Sequence, residues 1–328
     1  MLEQLRKLFS GAKRPTLVNR LNPSNSPATS IVLSPDDRSI AIGYKNGSIK
    51  LVQIEDSAVT AEFRKSERSV ECIRFASDGL KLAAAQYEWE VRVWDLSTKA
   101  CVQMQGRTGG SLAFSPDGNQ LAVGQHRGGS NAPDIEVFDT TSGALIWTLH
   151  GHRGSATYAA LCSNVTAVEF SPDGKELVSA GHDLQILAWP IPWNNSRCSP
   201  LNSEGISDAP QNLRFSPDGS SLLADTTVYA EGAKAAHSLR IWRSRQEKSK
   251  FVSVDCESFI WDSRFSRDGS KVIAVSNKSL WLWEGGGKAK KVGDSFVGEK
   301  HCFSESGARL AVTKSDSSIE IWDVGCLL

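Results

Sequence analysis

Three observations in this sequence predict an all-β chain, a seven-bladed β-propeller of four-stranded antiparallel blades closed by an N-terminal strand that completes the last blade. First, versions of one pattern recur seven times: a short apolar strand, a turn related to Ser-Pro-Asp-Gly, a second apolar strand, then a strand that closes on an aromatic residue in all copies but the first. Second, aligned on the third turn residue, the copies fall at Asp36, Asp78, Asp117, Asp173, Asp218, Asp268 and Ser306, in steps of 42, 39, 56, 45, 50 and 38 residues. Periods of that size belong to repeat folds, and four-stranded blades have this length. Third, the last copy stops after its third strand, while a strand-like piece, Thr16 to Leu21, stands unassigned ahead of the first copy.

The turn is justified by its chemistry. In FSPDG, at 114–118, 170–174 and 215–219, proline presets φ for the second turn position, aspartate suits the third, and glycine takes a positive φ. The result is a tight hairpin between antiparallel strands. The runs that follow, such as QLAVG (120–124), ELVSAG (176–181) and KVIAVS (271–276), read as second strands. EVRVWD (90–95), SLRIWR (238–243) and IEIWD (319–323) read as third strands, rich in β-branched and aromatic residues. If Thr16–Leu21 pairs with Ile319–Val324, the chain ends lock the ring and cover an edge that would otherwise invite aggregation. Domain organisation is expected as an N-terminal extension over 1–14, with Leu2, Leu5, Leu8 and Phe9 at amphipathic-helix spacing, and a propeller over 15–328.

The third strands close on Trp94, Phe138, Trp189, Trp242, Trp283 and Trp322, with Val52 in the first copy; Trp94-Asp95 and Trp322-Asp323 form a Trp-Asp dipeptide and Phe138-Asp139 approximates it. On these residues the chain resembles the WD-repeat β-propeller family over nearly its whole length. The resemblance implies a structural tetrad, a buried histidine bonded to a turn aspartate, a serine and the tryptophan. The fourth blade alone supplies all four members, as His152, Ser179, Asp183 and Trp189.

Composition narrows the function. Forty per cent of the 328 residues are apolar, and 37 Lys plus Arg balance 37 Asp plus Glu, so a charged partner must be met by a local patch. Seven scattered cysteines without CxxC spacing argue against a disulfide framework and a zinc site. No stretch approaches the ~18 apolar residues of a membrane span and no signal peptide is recognisable, so a cytoplasmic location is expected. There is no GxSxG elbow, no HExxH and no paired metal spacing among six histidines, so an enzyme is not expected, and neither a metal nor a cofactor. A propeller hydrolase or lactonase is the catalytic alternative.

Extra residues mark where binding is expected. From turn to closing residue the third copy measures 21 and the fifth 24, against 15 or 16 in the others; the additions lie in 126–134 and 226–238, and a further insertion occupies 153–164. In WD-repeat propellers these loop types share one face, so the third to fifth blades should carry an enlarged upper sector. Loops on a rigid scaffold are where binding residues concentrate. Arg68, Tyr87, Trp89, Arg107, Arg127, Tyr158, Tyr229 and Trp261 are the candidate partner-binding residues, an aromatic and arginine mixture suited to an interface core. The expected partner is another protein or a multiprotein complex.

The opposite face offers an alternative basic patch, Arg243, Arg245, Lys248, Lys250, Lys288, Lys290 and Lys291, joined by the basic 3–14 segment. It would suit phosphate, nucleic acid or an acidic partner, with marked salt dependence. Nucleic acid is not favoured, because no RNA-binding motif or phosphate-cradling glycine loop accompanies the charge.

Overall fold

The structure, a computed structural model, describes residues 14–22, 24, 26–63, 67–87, 90–105, 110–125, 134–152, 165–193, 198–201, 203, 206, 209–228, 236–243, 251–256, 259–276, 279–285, 289–294 and 296–328. Among them, seven four-stranded antiparallel sheets form the blades. The first four blades begin at Ala28–Leu33, Val70–Phe75, Ser111–Phe114 and Val165–Phe170, and the last three at Leu213–Phe215, Ile260–Phe265 and His301–Phe303. These inner strands pack each on the next, and the seventh on the first, so the ring is closed around a central channel.

Each blade starts from the recurring turn. In the third, Ser115 donates its hydroxyl to Asp117 at 2.6 Å, and Asp117 accepts the Asn119 N–H at 3.1 Å. Gly118 sits at φ 68°, a conformation that side chains resist. The serine-aspartate bond recurs at Ser34, Ser171, Ser216 and Ser266. These bonds hold the turn carboxyls below their usual range, down to about 2 for Asp218 and Asp268, where the serine hydroxyl is the largest cause.

The closing aromatics then explain the sheet cores. Trp94 lies opposite Leu82, Phe138 opposite Leu121, Trp189 opposite Leu177, and Trp242 opposite Leu222. Val52 fills the same place opposite Ile40 and is fully buried. A large ring at one register position in successive blades lets the blades interleave while filling the gap between them.

A polar latch spans each of the seven blade junctions. Thr29 donates to the Val70 carbonyl at 2.6 Å, Ser77 to Pro116 at 2.8 Å, Ser111 to Val165 at 3.4 Å, and Thr166 to Pro210 at 2.5 Å. Asn212 donates to the Trp261 carbonyl at 3.2 Å, and Asp262 accepts the Phe303 N–H at 2.8 Å. Ser306 donates to Asp37 at 2.6 Å, joining the last blade to the first.

The seventh blade is composite. Thr16–Leu21 pairs antiparallel with Ile319–Asp323, from Thr16 opposite Asp323 to Leu21 opposite Ile319, with a one-residue shift of register between Leu17 and Asn19. Leu21 is 1% exposed. Arg20 reaches Asp316 at 2.8 Å and Ser318 at 2.9 Å, while Asn19 crosses to the Ile54 carbonyl of the first blade at 2.7 Å. The expected N-terminal helix falls within 1–13 and lies outside the described residues.

The fifth blade modifies the expectation of a long loop over 226–238. There Thr226 pairs with Ser238, Thr227 with His237 and Val228 with Ala236, so six of those residues lengthen the hairpin.

Candidate binding faces and the central channel

Because strand direction alternates within a blade, two kinds of connection emerge at each end of the ring. The upper end carries the second-to-third-strand connections and the blade-to-blade connections; the lower end carries the Ser-Pro-Asp-Gly turns and the third-to-fourth-strand connections. Each inner strand therefore runs downward through the channel wall.

On the upper face Arg68 and Tyr87 come together at the second blade. Tyr87 donates its N–H to the Ser69 carbonyl at 2.8 Å, Gln86 reaches the Arg68 carbonyl at 3.4 Å, and the Tyr87 side chain is 60% exposed. Trp261 stands away from this pair, at the channel mouth. It stacks on His301 at 5.8 Å and 22°, and meets Phe259 edge-on at 5.2 Å; Phe259 in turn meets His237 at 5.7 Å. An aromatic row thus runs from the fifth blade across the sixth to the seventh. Trp89, Arg107, Arg127, Tyr158 and Tyr229 lie outside the described residues.

The upper mouth of the channel is a cavity of about 280 Å³ lined by Trp261, His301, Lys300, Asn212, Arg214 and Glu71 among others. His301 donates Nε2–H to the Phe296 carbonyl at 2.7 Å, its Nδ1 is buried without a hydrogen-bond partner, and burial lowers its pKa. Nearby, Asp225 accepts the N–H groups of Asn212 at 2.7 Å and Gln211 at 3.0 Å, yet burial pushes its carboxyl up to about 7.

The fourth blade joins His152, Ser179, Asp183 and Trp189 in one hydrogen-bond chain. Trp189 donates Nε1–H to Ser179 at 2.8 Å; Ser179 stands 2.8 Å from His152 Nε2, and His152 Nδ1 stands 2.9 Å from Asp183. Since the indole can only donate, the serine hydroxyl is free to donate to Nε2, which leaves the proton on Nδ1 for the carboxylate. A neutral imidazole satisfies the whole chain. The residue types match a hydrolytic triad, but Ser179 has no exposed surface and its oxygen already accepts the indole proton.

The basic sector is partly described. Arg243 is exposed, whereas Lys290 lies 3.9 Å from Glu284 and Lys291 2.8 Å from Asp294, at the start of the sixth blade's outer strand. Carboxylates at those distances offset the lysine charge. Arg245, Lys248, Lys250 and Lys288 lie outside the described residues. No group of three or more potential metal-ligating His, Cys, Asp or Glu occurs among the described residues, and no helix among them is long and apolar enough to cross a membrane.

Sequence reasoning missed the charge inside the channel. The residue preceding the last apolar position of each inner strand forms one ring: Val32, Arg74, Ala113, Glu169, Arg214, Arg264 and Cys302. Three arginines and a glutamate thus interrupt a column that is otherwise small or apolar. Arg74, Arg214, Arg264, Glu169 and Glu305 line the lower part of the channel, a cavity of about 450 Å³. Aligning the seven copies on their turns exposes the column; reading strands singly hides it, because a lone buried arginine reads as part of an alternating pattern. Cys302 is buried in this ring, and burial pushes its thiol up.

Comparison with known proteins agrees with this architecture. Residues 16–78 match the family model described as the WD40 domain of anaphase-promoting complex subunit 4, a match that begins with the closing strand, and residues 143–189 match the WD domain, G-beta repeat model. A 118-residue stretch is 30% identical to WD repeat-containing protein SL1-17 of Schistosoma mansoni, covering 35% of this chain and 38% of that protein. Among solved structures, the β-propeller domain of Cps50 (Swd1) from Myceliophthora thermophila superposes with a TM-score of 0.71 at 16% identity, covering 94% of this chain and 99% of that one. The chain is a seven-bladed β-propeller, and two of its stretches, 16–78 and 143–189, are similar to WD-repeat models. Propellers of this class generally serve as protein-interaction scaffolds and are typically non-catalytic.

Proposed function

We propose that the protein is a non-catalytic interaction platform whose protein partner docks on the upper face, mainly over the third to fifth blades, and reaches the channel mouth. The observation that supports this reading is the aromatic row His237, Phe259, Trp261 and His301, which begins on the lengthened fifth-blade hairpin, at the edge of that sector, and crosses the sixth blade to the seventh, so that the docking surface continues beyond the fifth blade to the upper cavity. Aromatic side chains held by a rigid scaffold supply contact area with little ordering cost, the composition of interface centres. Tyr87 and Arg68 extend this surface towards the second blade; Trp89, Arg107, Arg127, Tyr158 and Tyr229 belong to the same proposed set. The fourth blade's Ser-His-Asp chain gives no support to a hydrolase, since its serine is wholly buried. Among the lower-face lysines, Lys290 and Lys291 lie beside carboxylates, which favours the upper face.

The test is co-purification from cells at native expression, with bound proteins identified and their affinity measured on immobilised variants. Arg68→Glu combined with Tyr87→Ala is expected to weaken partner binding at least about tenfold, with an unchanged melting temperature because both side chains are exposed. Loss of binding in Lys290→Glu/Lys291→Glu, with the upper-face variant intact, would transfer the site to the lower face.

A further inference from the structure

We infer that the lower half of the central channel is a binding site for a small phosphate-bearing molecule, held by Arg74, Arg214 and Arg264. These arginines descend from the second, fifth and sixth blades at the same register position, and all three line the cavity of about 450 Å³. A volume of that size suits a small ligand rather than a folded partner.

Unused donors carry the inference. The Arg214 side chain is only 8% exposed, and its guanidinium donates Nη1–H to the Leu213 carbonyl at 2.7 Å. Its nearest carboxylates, Glu169 at 3.6 Å and Asp262 at 3.8 Å, stand beyond hydrogen-bond reach. Nε of Arg214 and Nε of Arg264 are both buried without a hydrogen-bond partner, while Arg74 donates Nη1–H to the Ile73 carbonyl at 3.0 Å. A guanidinium with an unsatisfied donor, taken out of water, is costly unless an acceptor arrives. An oxyanion brings several acceptor oxygens and a charge, and arginine forks match its geometry.

The charge balance permits such a ligand. Three guanidinium groups face Glu169, Asp262 and Glu305; Asp262 accepts the Phe303 N–H at Oδ2 while its Oδ1, 3.8 Å from Arg214, is buried without a hydrogen-bond partner, and burial pushes the Glu305 carboxyl up. Repulsion between like charges adds to burial in lowering the Arg214 pKa, with Arg264 the larger neighbour and Arg74 the smaller. An anion seated among the three would relieve that repulsion.

The proposal does not rest on the upper-face reading: Arg264 and Glu305 line the lower cavity and not the upper one, which Arg74 and Arg214 border as well, and the experiment uses the full chain. Inorganic phosphate and pyrophosphate are titrated against sodium chloride at matched ionic strength, followed by melting temperature and calorimetry. A saturable stabilisation beyond the chloride control is expected, weakened at least about tenfold in Arg264→Gln and in Arg74→Gln. Arg243→Gln, on the outer lower face, should leave it unchanged, and circular dichroism of each variant confirms that it is folded. Absence of a saturable effect in the wild-type chain would overturn the proposal. So would an effect that survives both channel substitutions, or one abolished by Arg243→Gln alone.

Discussion

The fourth and seventh blades solve one mechanical problem by different means. Each must hold its outer strands and its neighbours without a core of its own. The fourth uses side chains: a hydrogen-bond chain from Trp189 through Ser179 and His152 to Asp183, sealed from water. The seventh has no such chain; its Trp322 is half-buried and donates to Glu320 at 3.2 Å. It uses backbone instead, taking its outer strand from the other end of the sequence. A blade assembled within one repeat can be secured locally, whereas one assembled from two distant segments is secured by the ladder that joins them. Loop-closure entropy must be overcome to form that ladder, and once formed it holds the ring shut.

Removing the ladder should have the largest effect. A chain lacking residues 1–21 loses the whole pairing with Ile319–Asp323 and the burial of Leu21, worth roughly 2 kcal/mol by itself. It also exposes the strand edge of the seventh blade, which should recruit a second molecule. The expected result is a lower melting temperature together with concentration-dependent self-association, read by calorimetry and analytical ultracentrifugation. A monomer of unchanged stability would show that the closing strand is dispensable. Leu21→Asp, which leaves the backbone ladder available, should destabilise without the same degree of association.

The fourth blade should respond less. Ser179→Ala leaves the indole N–H of Trp189 and Nε2 of His152 buried without partners, a cost of about 1–3 kcal/mol. Trp322→Phe in the seventh blade removes an indole bond that is partly open to water, and should cost about 1 kcal/mol or less. Denaturant unfolding of the two variants decides the comparison. If they are equal, the tetrad adds nothing beyond an ordinary aromatic closure.

How far the sequence reveals this molecule follows the same division. The repeats, the turns, the number of blades and the closing strand are legible because each rests on local chemistry that recurs: proline, aspartate and glycine at fixed offsets, and apolar runs of strand length. Membership of the tetrad is legible because its residues stand in one repeat and its outset. The arginines at 74, 214 and 264 are obscure, since their meeting depends on three separate blades pointing the same register position at one axis. His237, Phe259, Trp261 and His301 are obscure for the same reason, although Trp261 alone attracts notice. The extra residues of the fifth copy are legible as an insertion, but their pairing as a longer hairpin is not, because alanine and glycine in 230–236 give no strand signal.

The smallest expected effect lies at the latch between the seventh and first blades, where two contributions oppose each other. The first copy of the turn has Asp37 where other copies have glycine, and Asp37 adopts φ 60°, a left-handed conformation that costs a side-chain-bearing residue about 1 kcal/mol relative to glycine. In return its carboxylate accepts the Ser306 hydroxyl at 2.6 Å across the ring junction. Asp37→Gly relieves the backbone and loses the bond, so its net change should stay within about 0.5 kcal/mol. Ser306→Ala loses the bond and keeps the backbone cost, so it should destabilise by about 1 kcal/mol. Measured side by side by chemical denaturation, Ser306→Ala should be the weaker of the two. The reverse order would mean that Asp37 supports the first blade's turn rather than the closure, and that the seventh blade depends on the N-terminal strand alone.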